Sequence, residues 1–200
     1  ANAGQICAAS KRFIVMADKY EEFLTMLKTA FATVKPGDPM DRTTTLVPMS
    51  SAHSKATLQK QVDAAVAAGA KVYYGNEQID LAGQFFQPTI LTDIDAKNPA
   101  YNQELFGPVA SVYKVQTEAE AIQLANDSSY GLGSSIFSEN TAHAQAVAEQ
   151  IEAGMTFINR AWATLPELPF GGVKNSGYGR EMFELGFDAF VNEHLVVNAK

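Results

Sequence analysis

The single cysteine is the residue of this sequence best suited to chemistry. Cys7 lies in the stretch GQICAASKR, where two alanines follow it and Lys11 and Arg12 add positive charge. If a helical turn begins at Ala8, its amides would face the sulfur. Each feature favours the thiolate, which is the nucleophilic form, and the cysteine's own N–H could donate to an oxyanion. The sequence therefore predicts a nucleophilic Cys7, and the alternative is an inert buried cysteine.

Two glycine-rich stretches could let a ligand approach the backbone. Gly131-Leu132-Gly133 lacks the third glycine of a dinucleotide-binding fingerprint, because Ile136 stands there, and we interpret it as a tight turn before a strand. The stretch FGGVKNSGYGRE at 170–181 lacks the spacing of a phosphate-binding Walker loop. Its glycines permit positive φ and close backbone approach, which favours a structural loop beside a pocket.

Strand and helix patterns alternate along the chain and must position these residues. Strands are predicted at 12–16, 72–74, 109–115, 134–137 and 156–159, with an edge or bent strand in 85–91 because of Pro88. Helices are predicted at 19–33, from Ser50 or Ser51 to a stop at Gly69, at 117–126 and at 141–152. The first and third helices begin with capping-box patterns, Asp18 with Glu21 and Thr117 with Glu120.

The order of elements predicts the fold class. Strand, helix, strand, helix, strand from 109 to 159 is typical of a parallel sheet with right-handed crossovers. We expect one compact α/β domain with an open, twisted, mostly parallel sheet flanked by helices, and a β segment at the C-terminus. Ligands collect at the carboxyl ends of such strands, here in the loops after Phe137 and Asn159.

Composition excludes several classes of protein. The 200 residues carry 15 Lys and Arg against 22 Asp and Glu, a net charge of −7, so the chain repels nucleic-acid backbones. No apolar run reaches the ~20 residues of a membrane span, and the N-terminal residues lack signal-peptide character. One cysteine and the scattered His53, His143 and His194 argue against disulfides and a metal site. We expect a cytoplasmic globular protein without membrane or nucleic-acid partners.

Three separated motifs resemble the aldehyde dehydrogenase superfamily, in the family's order. They are GQIC at 4–7 followed by Arg12, QELFGPV at 103–109, and PFGGVKNSGYGRE at 169–181. Weaker matches are QPTIL at 87–91, YGLG at 130–133 and FVN at 190–192. Together the motifs cover nearly the whole chain.

The resemblance implies a role for each matched position. Cys7 matches the nucleophile, whose thiolate adds to an aldehyde to form a thiohemiacetal and then, after hydride loss to NAD or NADP, a thioester that water hydrolyses. Glu104 matches the carboxylate that binds the nicotinamide ribose, and Phe106 the aromatic beside the nicotinamide. Phe170 matches an aromatic of the substrate tunnel, and Trp162 and Thr164 belong to the adjoining substrate-pocket loop. The alternatives are a solvated loop charge for Glu104 and core packing for the two phenylalanines.

The resemblance also implies that the functional residues are divided between two domains. In the family, the cofactor-binding domain, the glutamate that activates the deacylating water and an asparagine of the oxyanion site precede the nucleophile. Only six residues precede Cys7 here. We therefore expect residues 1–200 to be a catalytic domain without the N-terminal cofactor-binding domain, inactive alone. About 188–200 would be an oligomerisation tail, within a homodimer or homotetramer.

The substrate is predicted from local similarity. CAASKRFIV at 7–15 and the region 158–174 are most like bacterial succinate-semialdehyde dehydrogenases. Glu167, however, stands where many relatives have arginine, and a like charge would repel a carboxylate tail. A medium-sized neutral aldehyde is therefore the alternative substrate.

Other functions remain open at this point. A CoA-acylating aldehyde dehydrogenase would use the same cysteine without the deacylating glutamate. A cysteine hydrolase or acyltransferase needs a nearby histidine, and none falls near the three motifs. A non-catalytic assembly domain would use the tail HLVVN at 194–198, which could add to a sheet edge.

Overall fold

A computed structural model describes residues 2–161 and 163–200 of the chain. The chain divides into two compact units, the first ending at Leu124 and the second beginning at Ala125. The sequence had suggested one compact body. The assignment of 1–200 as a single catalytic domain stays a prediction.

The first unit is built on a four-stranded sheet with helices packed on it. Its elements are β1 (Arg12–Met16), α1 (Tyr20–Ala32), α2 (Ala52–Ala67), β2 (Lys71–Tyr74), β3 (Thr89–Thr92) and β4 (Val109–Val115), followed by α3 (Glu118–Asn126), which crosses the division. The strand order is β1-β4-β3-β2, with β1, β4 and β3 parallel and β2 antiparallel to β3. This mixed, mostly parallel sheet confirms the predicted α/β class.

Successive residues of the central strands face opposite helices. Ile90 and Val112 pack with Tyr20 and Leu24 of α1. The next residue along each strand, Leu91 and Tyr113, packs instead with the α2 stripe of Leu58, Val62 and Ala65. Because side chains alternate across a strand, helices cover both faces and the strands become continuously apolar.

Two details of the first unit correct the sequence prediction. β3 lies between β2 and β4, so the edge-strand interpretation of Pro88 is wrong. Pro88 precedes the strand, where its missing N–H interrupts no ladder. At α1 the N-cap is Lys19 and no side chain caps the helix, so Asp18 and Glu21 form no capping box.

The other predicted helix starts are confirmed. At α2, the Ser51 side chain accepts from the N–H of Ser54. At α3, Thr117 Oγ1 accepts from the Glu120 N–H at 3.2 Å, and the Glu120 carboxylate accepts from the Thr117 N–H at 3.3 Å. This reciprocal pair is the predicted capping box.

The second unit contains two small sheets. Its elements are β5 (Tyr130–Gly131), β6 (Gly133–Ile136), α4 (Thr141–Ala148), β7 (Met155–Ile158), β8 (Val173–Lys174) and α5 (Phe183–Phe187). β6 and β7 are parallel and joined by α4, whereas β5 and β8 are antiparallel. The single βαβαβ sheet predicted for 109–159 is therefore wrong. β1 and β3 occupy both edges of β4, so β6 pairs with β7 alone.

The C-terminal residues correct one further expectation. Within the described chain, residues 191–200 belong to no strand, because an extended segment becomes a strand only when it pairs with another. Leu195, Val196 and Val197 are largely exposed there. Separately, a search of the described residues finds no helix with the length and apolar character to cross a bilayer.

Candidate active site

Cys7 occupies an exposed turn just ahead of the sheet. The turn is closed by the Ala9 N–H, which donates to the Ile6 carbonyl at 3.1 Å, and β1 begins at Arg12. The sulfur is a free, exposed thiol. The buried-cysteine alternative is therefore wrong. The helical turn suggested from Ala8 onward does not form, because the turn closes at Ala9 and β1 begins at Arg12.

Lys11 is the cation that contacts the thiol turn. Its Nζ donates to the carbonyls of Ile6 at 3.0 Å and Ala9 at 3.1 Å. Burial lowers the pKa of Lys11, against the opposing effects of the Glu104 carboxylate and of Cys7. The sequence also predicted a positive potential from Arg12, but that side chain lies elsewhere.

The Arg12 guanidinium packs among aromatic rings of the first unit. It lies 5.7 Å from the Tyr101 ring and 5.3 Å from the Tyr113 ring, and its Nη2 donates to the Leu124 carbonyl at 2.8 Å. Burial raises the pKa of Tyr113, with Arg12 acting in the opposite direction. Arg12 therefore ties β1 to β4 and α3, and Lys11 alone of the two contacts the thiol turn.

The loop before β4 presents the two predicted cofactor residues. Leu105 is buried in the α2-facing core, which turns Glu104 and Phe106 on either side of it outward. Their exposures are 36% for the Glu104 side chain and 42% for Phe106. Gln61 of α2 donates to the Glu104 carbonyl at 3.2 Å and fixes the backbone there. The core-packing alternative for Phe106 is thus not supported.

Lys11 and Gly4 join this loop to the thiol turn. Lys11 Nζ lies 3.7 Å from Glu104 Oε1 and 5.0 Å from the centre of the Phe106 ring. Gly4, at φ +73°, packs so closely that a Cβ there would overlap the carbonyl oxygen of Gly107. The structure therefore brings Cys7, Glu104 and Phe106, which are far apart in sequence, onto two adjoining loops.

Gln5 anchors the thiol turn on its other side and was missed by sequence reasoning. Its Nε2 donates to the Pro48 carbonyl at 3.3 Å, and its Oε1 accepts from the Ser50 N–H at 2.7 Å. This side chain therefore fixes residues 48–50, which precede α2, to the thiol turn. In the sequence, its position within the GQIC motif was the signal that could have indicated this role.

The second unit holds two of the predicted substrate-pocket residues around a cavity of about 370 Å³. The described lining residues are Gly154, Met155, Thr156, Phe157, Ala163, Thr164, Leu165, Leu168, Pro169, Phe170, Arg180 and Leu185. Thr164 and Phe170 are among them, whereas Glu167 is exposed and is not. Trp162 lies outside the described residues.

The glycine-rich stretch borders this cavity through two of its residues, Phe170 and Arg180. Phe170 and Glu181 exchange backbone hydrogen bonds of 2.8 and 2.7 Å. Arg180 Nη1 donates to the carbonyls of Gly172 at 3.0 Å and Gly179 at 2.6 Å, closing the loop. The stretch is therefore a structural loop beside a pocket.

The residues of the first unit fit one end of a nicotinamide nucleotide. A half-exposed carboxylate can accept from two ribose hydroxyls at once, and an exposed aromatic ring offers a flat surface to a heterocycle. Glu104 and Phe106 supply these groups from a loop whose backbone is anchored. An exposed thiol on the adjoining loop adds a group that can act as a nucleophile, a combination typical of dehydrogenases that form covalent intermediates.

Comparison with known proteins identifies the class. The family model described as "Aldehyde dehydrogenase family" matches residues 1–196, and the chain belongs to this family. Among curated proteins, it is 47% identical over 195 residues to succinate-semialdehyde dehydrogenase [NADP(+)] from Deinococcus radiodurans, covering 98% of the chain and 41% of that protein. It is 44% identical to the probable succinate-semialdehyde dehydrogenase [NADP(+)] from Synechocystis, covering 98% of the chain and 43% of that protein.

Solved structures agree with this classification. Succinic semialdehyde dehydrogenase from Streptococcus pyogenes, in complex with NADP+, matches with TM-score 0.96 and 56% identity, over 99% of this chain and 44% of that one. Betaine aldehyde dehydrogenase from Staphylococcus aureus, in complex with NAD+, matches with TM-score 0.91 and 35% identity, over 94% and 38%. The chain thus spans about two fifths of the length of the relatives it matches.

Proposed function

We propose that the protein oxidises succinate semialdehyde to succinate with NADP+, using Cys7 as the nucleophile. The observation that carries this proposal is the exposed thiol turn joined through Lys11 to the loop of Glu104 and Phe106. The names of the relatives from Deinococcus radiodurans and Streptococcus pyogenes support the substrate and the choice of NADP+. Residues 1–200 supply the catalytic domain for this reaction.

The reaction follows from the chemistry of a thiolate. Cys7 Sγ adds to the aldehyde carbon, and the new C–S bond gives a thiohemiacetal whose oxygen the Cys7 N–H can stabilise. When bound, NADP+ would supply the acceptor for the hydride that leaves this carbon, and Cys7 Sγ would then hold a thioester. Water then adds to the thioester carbonyl, the C–S bond breaks, and the acid leaves while the thiol is restored.

The other proposed site residues bind and orient the cofactor and the substrate. Glu104 accepts from the nicotinamide ribose hydroxyls, and Phe106 packs beside the nicotinamide ring. Thr164 and Phe170 line the proposed substrate pocket, and Trp162 keeps its predicted pocket role. The support is the exposure of the first pair and the shared cavity of Thr164 and Phe170.

The charge objection to a carboxylate substrate is weakened by the position of Glu167. That side chain is exposed to solvent and is not among the described cavity-lining residues. A charge in water is screened and costs a bound carboxylate little. Succinate semialdehyde therefore stands ahead of a neutral aldehyde of similar size, or a CoA-acylating reaction with the same cysteine.

The proposal also covers location and assembly. We place the protein in the cytoplasm, where a single exposed thiol stays reduced. The exposed apolar tail supports a homo-oligomer, a homodimer or homotetramer, with residues 188–200 covered by a second copy. An assembly role of this kind accompanies the catalytic function.

The test is an aldehyde-dependent formation of NADPH by the purified protein at the full length of its relatives. Succinate semialdehyde is compared with butanal, a neutral aldehyde of the same chain length, with NADP+ and with NAD+. We expect a kcat/KM at least about tenfold higher for succinate semialdehyde, a difference of 1.4 kcal/mol in transition-state binding. No reduction with either aldehyde, or turnover only when CoA is added, would overturn the proposal.

A further inference from the structure

Lys11 makes more contacts with the candidate site than its place in the sequence suggests. Its side chain is only 13% exposed. Two of its three N–H donors are used by the carbonyls of Ile6 and Ala9, which flank Cys7 in the turn. The ammonium therefore fixes the backbone on both sides of the sulfur.

The same ammonium faces the loop of Glu104 and Phe106. Glu104 Oε1 lies 3.7 Å from Nζ, beyond direct hydrogen-bond distance but within ion-pair range, and the Phe106 ring lies 5.0 Å away. A buried cation between two loops costs desolvation, and the carboxylate and carbonyls here offset that cost. A lysine held in this way keeps the separation of the two loops fixed.

We propose that Lys11 is a positioning residue that holds the Cys7 turn against the Glu104–Phe106 loop and places its positive charge beside the turn that carries the sulfur. The part concerning the loop rests on the proposed function of Glu104. The part concerning the thiol does not, because it requires neither cofactor nor aldehyde. The charged groups beside the thiol turn in this account are Lys11 and, across the ammonium, Glu104.

A second lysine of the same unit provides a matched control. Lys114 Nζ also lies 3.7 Å from a glutamate oxygen, that of Glu21, and 5.0 Å from an aromatic ring, that of Tyr20. Its side chain is 43% exposed and it contacts α1 rather than the thiol turn. Removing either lysine deletes the same kind of pair, but only Lys11 adjoins the sulfur.

The experiment measures alkylation of Cys7 by iodoacetamide in the 200-residue chain, from pH 6 to pH 9. Cys7 is the sole cysteine of the sequence, so labelling is unambiguous. We expect Lys11→Met to slow alkylation about fivefold at neutral pH, because the variant loses both the anchor of the turn and the positive charge beside it. Lys11→Arg, which keeps the charge, restores most of the rate, and Lys114→Met matches the unaltered chain.

A further variant keeps the proposal testable if Lys11→Met fails to fold. Glu104→Gln removes the negative charge on the far side of the ammonium, so it should speed alkylation about twofold. Superimposable rate–pH curves for Lys11→Met and the unaltered chain would overturn the proposal. So would Lys11→Arg as slow as Lys11→Met, or a slower Glu104→Gln. None of these results depends on aldehyde oxidation, so they are distinct from a failure of the proposed function.

Discussion

At the scale of single residues, the position of Glu104 suits the binding role that we propose for it. Its backbone is fixed by Gln61 and by the buried Leu105, while its side chain stays half-exposed beside Lys11. A ligand with two hydroxyls can therefore bind without first ordering the loop. Such preorganisation lowers the entropic cost of binding.

Replacement of Glu104 tests this role. Glu104→Gln keeps the shape but loses the charge, and hydrogen bonds to a charged acceptor are about twice as strong as neutral ones. We expect the KM for NADP+ to rise about tenfold, equivalent to 1.4 kcal/mol, with a smaller change in kcat. Steady-state kinetics at saturating aldehyde measure it. Glu22→Gln is the control, because Glu22 of α1 pairs at 3.8 Å with Lys19, the N-cap residue of that helix. Equal KM values for all three proteins would contradict the role.

Single residues also show how far sequence reasoning reaches, and the roles of the predicted site residues stay predictions. Cys7, Glu104 and Phe106 were predicted because their motifs resemble a family, and the structure places them on adjoining loops. The link through Lys11 could not be predicted, since the contact between residues 11 and 104 exists only after the sheet has formed. Arg12 was assigned to the thiol by its proximity in sequence, although its side chain packs on Tyr101 and Tyr113.

At the scale of elements, the close approach of two loops depends on a glycine. Gly4 has a positive φ, and a Cβ would collide with a backbone carbonyl, which cannot rotate away. We expect Gly4→Ala to destabilise the first unit by about 2 kcal/mol, the sum of a positive-φ cost and of the collision, and to slow the alkylation of Cys7. Urea unfolding and iodoacetamide kinetics measure the two effects.

Gly69 supplies the control for that substitution. It also has a positive φ, +107°, but no atom lies within 4 Å of its virtual Cβ. Gly69→Ala should therefore cost only about 1 kcal/mol, from backbone strain alone, with no effect on the thiol. Equal costs for the two substitutions would show that the contact between Gly4 and Gly107 is unimportant.

The packing of α1 on the sheet predicts a dependence of stability on pH. Burial, with help from Asp93, Glu21 and Tyr73, raises the pKa of Tyr20 to about 12. An unfolded tyrosine ionises near pH 10, so the folded state holds this proton more tightly. The contribution of Tyr20 to the free energy of unfolding is therefore fully present below pH 10 and is lost as the pH rises to about 12.

Tyr20→Phe isolates this contribution. Between pH 9 and pH 11 we expect the unaltered chain to lose about 1 kcal/mol more unfolding free energy than the variant, because the phenylalanine ring cannot ionise. Urea titrations at the two pH values measure the difference. Tyr178→Phe, at a fully exposed tyrosine, should behave like the unaltered chain. Identical losses for all three proteins would rule out a raised Tyr20 pKa.

Elements were predicted well wherever local periodicity was strong. β4 and the start of α3 lie where the pattern placed them, because alternation, a helical stripe and a capping box are local properties. The pairing of strands was not predicted correctly. It depends on which edges remain free, and β1 and β3 reach β4 from positions distant in sequence.

At the scale of the whole molecule, the C-terminal tail is the segment through which we propose that copies of the chain associate. Leu195, Val196 and Val197 expose apolar surface that a single folded chain leaves in water. Covering this surface in a second copy would stabilise an oligomer. The sequence indicated a β segment here, but no partner strand pairs with it among the described residues.

Truncation tests the tail. A chain lacking residues 191–200 should run as a monomer in size-exclusion chromatography with light scattering, whereas the protein with its tail should form a dimer or tetramer. A chain lacking only Ala199 and Lys200 keeps the apolar residues and should retain the oligomer. An unchanged mass after the longer truncation would remove the assembly role from the tail.

The central claim is that Cys7 carries the acyl group during aldehyde oxidation. The most direct measurement is acid-quenched mass spectrometry of the Cys7 peptide after brief mixing of the full-length protein with succinate semialdehyde and NADP+. The account predicts a succinyl adduct on Cys7 that needs both reactants and that is absent, together with turnover, from Cys7→Ser. Succinate formed at an undiminished rate by Cys7→Ser would contradict it.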